Sequence, residues 1–336
     1  MLLLALLAAI SPYIYIAQFA QPVADDYCFS NLIAANSFTD NYLGLFMGMG
    51  GRYATNALIL LNPIAFSYTE LYTLIPIFQI ALTIFSVYYF FRALSEYALS
   101  RIDSMNISLF FVLIYLNQIP TLAEGFYFFT AAVNYQTGIS FCLLYLGLLI
   151  DYYKMKYLFH KGFHLLLLLV ILILTLGFSE VVTFLLIIIH GMILYLSLHQ
   201  NKKLAGSWYL ILATCLSFSL LMLLAPGNSF RTAAYPDNHN FFHSLIQSLL
   251  QIARFGFDWI SSLPLLFSTF LFVRILSANK KSFSILKNDL LLNPWLVAFF
   301  HFIILFVCIF PPYWATNILG QHRTMLLAFS LCCTGL

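Results

Sequence analysis

Two neighbouring aspartates, a handful of isolated arginines and two lone glutamates stand in short polar islands of a chain that is otherwise apolar. Asp25 and Asp26 lie in Ala24-Asp25-Asp26-Tyr27, Arg52 in Gly50-Gly51-Arg52-Tyr53, and Glu124 in Ala123-Glu124-Gly125-Phe126-Tyr127. Asn134 follows in Asn134-Tyr135-Gln136, Glu180 in Gly177-Phe178-Ser179-Glu180, Asn228 and Arg231 in Pro226-Gly227-Asn228-Ser229-Phe230-Arg231, and Arg323 in Gly320-Gln321-His322-Arg323. An acidic pair with further carboxylates can bind a divalent cation through oxygen ligands, act as general base toward a hydroxyl, or relay protons. The arginines narrow this choice, because a guanidinium is always charged and matches phosphate oxygens bidentately. A carboxylate base beside phosphate-binding arginines suits attack on a sugar linked to a lipid phosphate, with the phosphate as the stabilised leaving group.

Each residue also has a plainer role. The aspartate pair can end a span in water, Arg52 can anchor a helix at the interface, and the glutamates can pair with arginines for structure alone. Tyrosines near Glu124, Tyr127 and Tyr135 among them, are candidates for lining a sugar site, although a chain with 21 Tyr and 35 Phe uses most of its aromatic residues in lipid-facing and interfacial belts. Asp40, Glu70, Asp237 and Asp258 are expected at the surface.

The elements that must position these islands are set by composition. Charged residues make up 8% and hydrophobic residues 62% of the 336, far from the average soluble domain, and apolar runs of about 20 residues recur. The chain is therefore expected to be an all-α, polytopic helical membrane protein forming a single transmembrane domain over residues 1–336. Met1 to Ala20 has no basic leader and a poor cleavage junction, so it is taken as a retained first span. Residues 21–70 are polar and Gly-rich and are expected to form a long first extracytoplasmic loop with interfacial helices. Further spans are expected at Leu71 to Phe91, Ile107 to Leu122, Val133 to Ile150, Phe163 to Leu176, Val181 to Leu198, Ser207 to Leu224, Ile260 to Ile275 and Leu290 to Phe310, giving about nine to ten transmembrane helices in all. The last run, Met325 to Leu336, is too short to cross alone, and the chain is expected to be C-terminally truncated.

With these spans, Arg92, Arg101, Lys154, Lys156, Lys161, Lys202, Lys203, Arg274, Lys280, Lys281 and Lys287 share one side, which is eleven of fifteen basic residues and every lysine. That side is cytoplasmic by the positive-inside rule, with the N-terminus. The polar islands all fall at the opposite, extracytoplasmic ends of spans, which is the main reason to group them into one site. A span at residues 52–66 would invert this pattern. The six cysteines lie mostly in apolar runs without CxxC spacing, and no HExxH or HxxxH spacing occurs, so zinc is not indicated.

A first span followed by a long extracytoplasmic loop with the acidic motif Asp25-Asp26 near its start resembles the GT-C superfamily of integral membrane glycosyltransferases, and the wider set Ala24-Asp25-Asp26-Tyr27, Gly51-Arg52-Tyr53, Glu124 with Asn134-Tyr135, Gly177-Phe178-Ser179-Glu180 and Pro226-Gly227-Asn228 with Arg231 carries the resemblance further. That set is most similar to an uncharacterised family of bacterial multi-pass membrane proteins related to that superfamily. The resemblance implies a GT-C-like fold in a bacterial cytoplasmic membrane. It also implies transfer of a hexosyl or pentosyl unit from a polyprenyl-phosphate sugar to a glycan or lipid acceptor on the extracytoplasmic face, in the cell envelope. In the superfamily the first acidic residue acts as general base or metal ligand, which carries over to Asp25 or Asp26 without deciding between them. Glu180 joins them as a catalytic candidate. Arg52, Glu124, Tyr127, Asn134, Asn228, Arg231 and Arg323 are the substrate-binding candidates. No cofactor is required, but Asp25 and Asp26 could hold a divalent cation, Mg or Mn. The partners expected are the donor, membrane lipid and the acceptor, with no nucleic acid. The alternative is a secondary transporter or lipid-carrier flippase using intramembrane carboxylates, and a structural membrane subunit is a third reading.

Overall fold

The computed structural model describes residues 1–154, 158–200, 204–235, 238–267, 270, 274 and 294–319. No strand occurs among the described residues. Helix α1 (Leu2–Ile16) is followed by three short helices, α2 (Asp25–Ala35), α3 (Phe38–Gly48) and α4 (Tyr53–Ile59), and by 3-10 turns at Pro63–Phe66 and Thr69–Thr73. Longer helices then alternate: α5 (Leu74–Leu94), α6 (Arg101–Gln118), α8 (Gln136–Lys154), α9 (Leu158–Leu176), α10 (Glu180–His199) and α11 (Gly206–Leu223). A π-turn at Ala123–Tyr127 and the one-turn helix α7 (Phe129–Asn134) lead into α8. Beyond α11 come α12 (Pro226–Ala233), α13 (Phe241–Ile260) and α14 (Pro294–Thr316).

Among the described residues, six stretches are long and apolar enough to cross a membrane: Leu2–Phe19, Thr69–Leu94, Phe129–Lys154, Glu180–His199, Gly206–Leu223 and Ala298–Thr316. This is the architecture of a helical membrane protein. Two of the expected spans come out differently. The run at Ile107 to Leu122 belongs to α6, which carries Arg101, Asp103, Asn106 and Asn117 and is not among the six. Lys161–Leu176 is apolar but shorter. Residues 268, 269, 271–273 and 275 of the run Ile260 to Ile275, the start of Leu290 to Phe310 and all of Met325 to Leu336 lie outside the described residues. Residues 225–260, read from sequence as part of an outer loop, contain the 20-residue helix α13.

Local chemistry explains the element ends. Ser37 and Ser100 cap α3 and α6, each hydroxyl accepting the N–H of the aspartate three residues on and donating to its carboxylate, and Ser179 accepts Val182 N–H at the start of α10. Proline at the first position of α12 fits a helix start, where no N–H is needed. The segment from α2 to α4 cannot cross: its longest helix has 11 residues, about 16 Å at 1.5 Å per residue, against a hydrocarbon core of about 30 Å.

Helix α5 packs on α6 and α8, α8 on α9, and α9 on α11. The buried centre includes Phe90, Tyr115, Phe126, Tyr145 and Trp208. Between α5, α6 and α8 runs a buried polar seam. Tyr115 donates to Gln136 Oε1 (2.7 Å), Gln136 Nε2 to Thr83 Oγ1 (2.8 Å), and Gln79 Nε2 to Thr137 Oγ1 (2.9 Å). Such bonds substitute for the hydrophobic drive that is missing between helices in lipid. A second, smaller apolar cluster of Ala20, Ile59, Tyr72, Phe129 and Val133 lies where α4 and α7 meet the first residues of the loop.

Candidate functional site

The backbone turns sharply before the aspartate pair. Ala24 has φ +32°, a region that residues with a Cβ rarely occupy, and Asp26 closes the turn from both ends: its N–H donates to Val23 O (2.8 Å) and its Oδ2 accepts Val23 N–H (3.1 Å). The Asp26 side chain is fully buried. Oδ2 also accepts Tyr72 OH (2.5 Å), while Oδ1 accepts Thr130 N–H (3.1 Å) and Thr130 Oγ1–H (2.7 Å). Four donors thus fill this carboxylate. Tyr72 Oη in turn accepts Phe129 N–H (3.1 Å), so the first two N–H groups of α7 are both satisfied from the acidic motif. Asp25, one residue earlier, is half-buried, and its carboxylate accepts no hydrogen bond among the described residues.

The second half of the site is basic. Arg52 Nε and Nη2 both lie on Glu180 Oε2 (2.9 and 2.8 Å), and Arg231 Nη2 donates to Glu180 Oε1 (2.8 Å). The glutamate is 15% exposed, against 20% for Arg52 and 31% for Arg231, so the pair opens toward the surface through Arg231. Arg52 Nη1 donates to Asn134 Oδ1 (3.2 Å), and its guanidinium lies 5.8 Å from the centre of the Tyr135 ring. Burial works against the Arg52 charge, but Glu180 and Tyr135 beside it hold the guanidinium protonated even more firmly than usual.

Three close backbone approaches set this geometry. At Gly177, whose carbonyl accepts the N–H groups of Ala54 and Thr55, an added Cβ would lie 2.3 Å from the Tyr53 ring. At Gly51 a Cβ would lie 2.0 Å from Met222 O, and at Gly227 one would lie 2.4 Å from Gly50 N. Glycine is therefore required where α4 meets the α9–α10 hairpin and where α12 meets the end of α3. Asn228 fastens the latter junction: its Oδ1 accepts Gly51 N–H (3.3 Å), and its Nδ2 donates to Met222 O (2.8 Å) and Leu223 O (3.1 Å) at the end of α11.

The structure brings Asp26, Arg52, Asn134, Glu180 and Arg231 into one hydrogen-bonded chain, because Asn134 Nδ2 donates to Thr130 O (3.0 Å) on the helix that Asp26 holds. Asn228 borders the chain with its amide turned to backbone on both sides. Glu124 is not in it: its side chain is half-buried on the π-turn, and Oε2 has no hydrogen-bond partner. Tyr127 is also apart, its hydroxyl donating to Tyr13 O at 2.6 Å. Its phenol is pushed up to about 12 by burial first and by nearby Tyr13 second. Arg323 lies outside the described residues. Sequence reading missed Tyr72 and Thr130. Thr130 carried a faint signal, standing four residues before Asn134 and so on the same helix face; Tyr72, one of 21 tyrosines, carried none.

A cation shared by Asp25 and Asp26 does not fit this arrangement. Both Asp26 oxygens already accept two neutral donors each, and consecutive helical side chains diverge by about 100°. Comparison with protein-family models, with curated proteins and with solved structures finds no match to this chain.

Proposed function

We propose that this chain is a membrane glycosyltransferase of GT-C type, which transfers a sugar from a polyprenyl-phosphate donor to a hydroxyl of a glycan or lipid acceptor. One observation carries the reading: a single network holds an arginine pair with positive charge to spare, and the residue beside its Asp26 is a carboxylate with no hydrogen bond among the described residues. Two guanidiniums share one glutamate, which leaves one positive charge over. Arg231 uses only Nη2 on Glu180, and its Nε and Nη1 make no hydrogen bond among the described residues. A guanidinium anchored by one nitrogen keeps the rest of its fork for phosphate oxygens.

The roles then divide by chemistry. Asp25, half-buried and unengaged, takes the proton of the acceptor hydroxyl as it attacks the anomeric carbon. Asp26 cannot do so without giving up one of the four hydrogen bonds that fill its lone pairs. Arg231 and Arg52 stabilise the charge that develops on the departing lipid phosphate. Glu180, with both oxygens held by guanidiniums, orients the arginines and does not act on a proton. Single displacement inverts the anomeric centre. The lipid tail of the donor stays among the apolar helices.

The test is transfer from radiolabelled polyprenyl-phosphate sugar to candidate acceptors by the purified full chain in lipid nanodiscs. Asp25→Asn is expected to lower turnover by roughly 10²- to 10⁴-fold with donor KM nearly unchanged, whereas Arg231→Ala raises donor KM. Wild-type turnover by Asp25→Asn would overturn the assignment of the base. Counterflow of substrate in proteoliposomes without any transfer would replace the enzyme by a transporter.

A further inference from the structure

Asp26 and Arg52 do not touch, yet one turn of helix joins them. The N-terminal N–H groups of α7 are taken by Tyr72 Oη and Asp26 Oδ1, and the Thr130 hydroxyl adds a third bond to the same carboxylate. At the other end of the turn, Asn134 uses its amide twice, donating to Thr130 O and accepting from Arg52 Nη1. Phe129 and Val133 of α7 are buried in the small apolar cluster with Tyr72 and Ile59, so the turn is wedged as well as bonded. A six-residue helix is too short to persist by its own hydrogen bonds. Its position is inherited from what grips its ends.

The geometry points to α7 as a strut, with Asp26, Thr130 and Asn134 as positioning residues that fix the Arg52 guanidinium. The buried aspartate thereby acts on the phosphate side of the site without touching it. Arg52 bonds to Glu180 and to Asn134, from two elements, with the Tyr135 ring beside its guanidinium, and the bond to Asn134 fixes the rotation of the guanidinium plane about Glu180. Loss of the Asp26–Thr130 grip lets Asn134 shift and frees that rotation, and a mispositioned fork loses the second of its two parallel bonds to a phosphate. The consequence for donor binding rests on the function proposed above; the coupling between Asp26 and Arg52 does not.

Thr130→Val keeps the shape and the backbone N–H and removes only the hydroxyl bond to Asp26, while Thr130→Ser restores the hydroxyl. Two readouts on the full chain in nanodiscs separate the claims. The first uses no ligand: melting temperatures of Thr130→Val, Arg52→Lys and the double variant form a cycle, and non-additivity is expected although residues 52 and 130 share no bond. The second is binding of polyprenyl phosphate without sugar. Here Thr130→Val should weaken affinity about fivefold, Thr130→Ser should leave it near wild type, and Thr130→Val should have no further effect in an Arg52→Lys background. For transfer, donor KM rises and kcat holds, the reverse of Asp25→Asn. Additive melting shifts from folded variants overturn the strut. Coupled melting shifts in a protein that binds no polyprenyl phosphate leave the strut standing and remove the proposed substrate instead. If Thr130→Val does not fold, Tyr72→Phe, which loosens the same end of α7 at Phe129 N–H and shares no bond with Arg52, takes its place in the cycle.

Discussion

At the scale of single residues, two adjacent aspartates have opposite surroundings because a helix rotates by about 100° per residue. Asp26 turns into the protein and meets Tyr72, 46 positions on, and Thr130, 104 positions on; Asp25 turns away from both. That difference was illegible in the sequence, since the partners that define it are polar residues of common type at no fixed spacing. Its consequence can be measured. Tyr72→Phe removes one donor to a buried carboxylate and leaves Phe129 N–H without its acceptor. An orphaned buried donor costs about 1–3 kcal/mol, so denaturant unfolding in mild detergent should show a loss of that order. Asp26→Asn should cost at least as much, because the new NH₂ group faces donors where an oxygen accepted them. Asp25→Asn should unfold with the wild-type protein, and equal losses at both positions would remove the division of roles between them.

At the scale of elements, the site depends on helices that approach closer than most side chains allow. At Gly227 the atoms that a Cβ would meet are Gly50 N at 2.4 Å, Phe46 O at 2.6 Å and Met49 N at 2.9 Å, all of them backbone. None can rotate aside, so Gly227→Ala must push α12 from α3 and carry Arg231 away from Glu180. Overpacking of this kind costs about 1–3 kcal/mol. The variant should melt lower and lose donor affinity together, whereas Gly44→Ala on α3, with nothing within 4 Å, should do neither. The glycines were visible in sequence as part of the islands, and so was the grouping of Arg52, Glu180 and Arg231. What stayed hidden was α13. Its Ser244 and Ser248 are buried, while Phe242, Ile246, Leu250 and Phe257 are exposed. Its apolar residues are interrupted by Gln247, Gln251, Arg254 and Asp258, so no unbroken apolar run marks it, and its period of 3.6 residues is what betrays it. In α6 the mixture of Arg101, Asp103 and asparagines with apolar residues had the opposite effect, blurring the difference between a span and a helix held by its neighbours.

At the scale of the whole molecule, α8 measures the distance between two chemically distinct ends. It starts at Gln136, two residues after Asn134 in the site, and ends at Lys154, which pairs with Glu96 at 3.1 Å. Nineteen residues at 1.5 Å each cover about 28 Å, close to the thickness of a hydrocarbon core. The site and the Lys154 end therefore sit at opposite surfaces of a bilayer that contains α8. The Lys154 end also carries Arg92, at the foot of α5, and Arg101, at the head of α6. Lysines and arginines flanking spans are as a rule retained on the cytoplasmic side, and on that ground we propose that the aspartates and the arginine pair face the outer surface. That placement can be tested with a thiol probe. In a background with Cys28 and the two cysteines Cys332 and Cys333 changed to serine, Cys142, Cys215 and Cys308 remain, all buried. Thr39→Cys, exposed on α3 beside Asp40, should react with a membrane-impermeant maleimide in intact cells. Arg101→Cys, exposed at the opposite end, should react only after permeabilisation. The reverse pattern would turn the arginine pair toward the cytoplasm, where nucleotide-linked sugars are the soluble donors, and a lipid-phosphate leaving group would lose its main support. The expected pattern leaves the lipid-linked donor as the one that reaches an outward-facing site without a nucleotide supply.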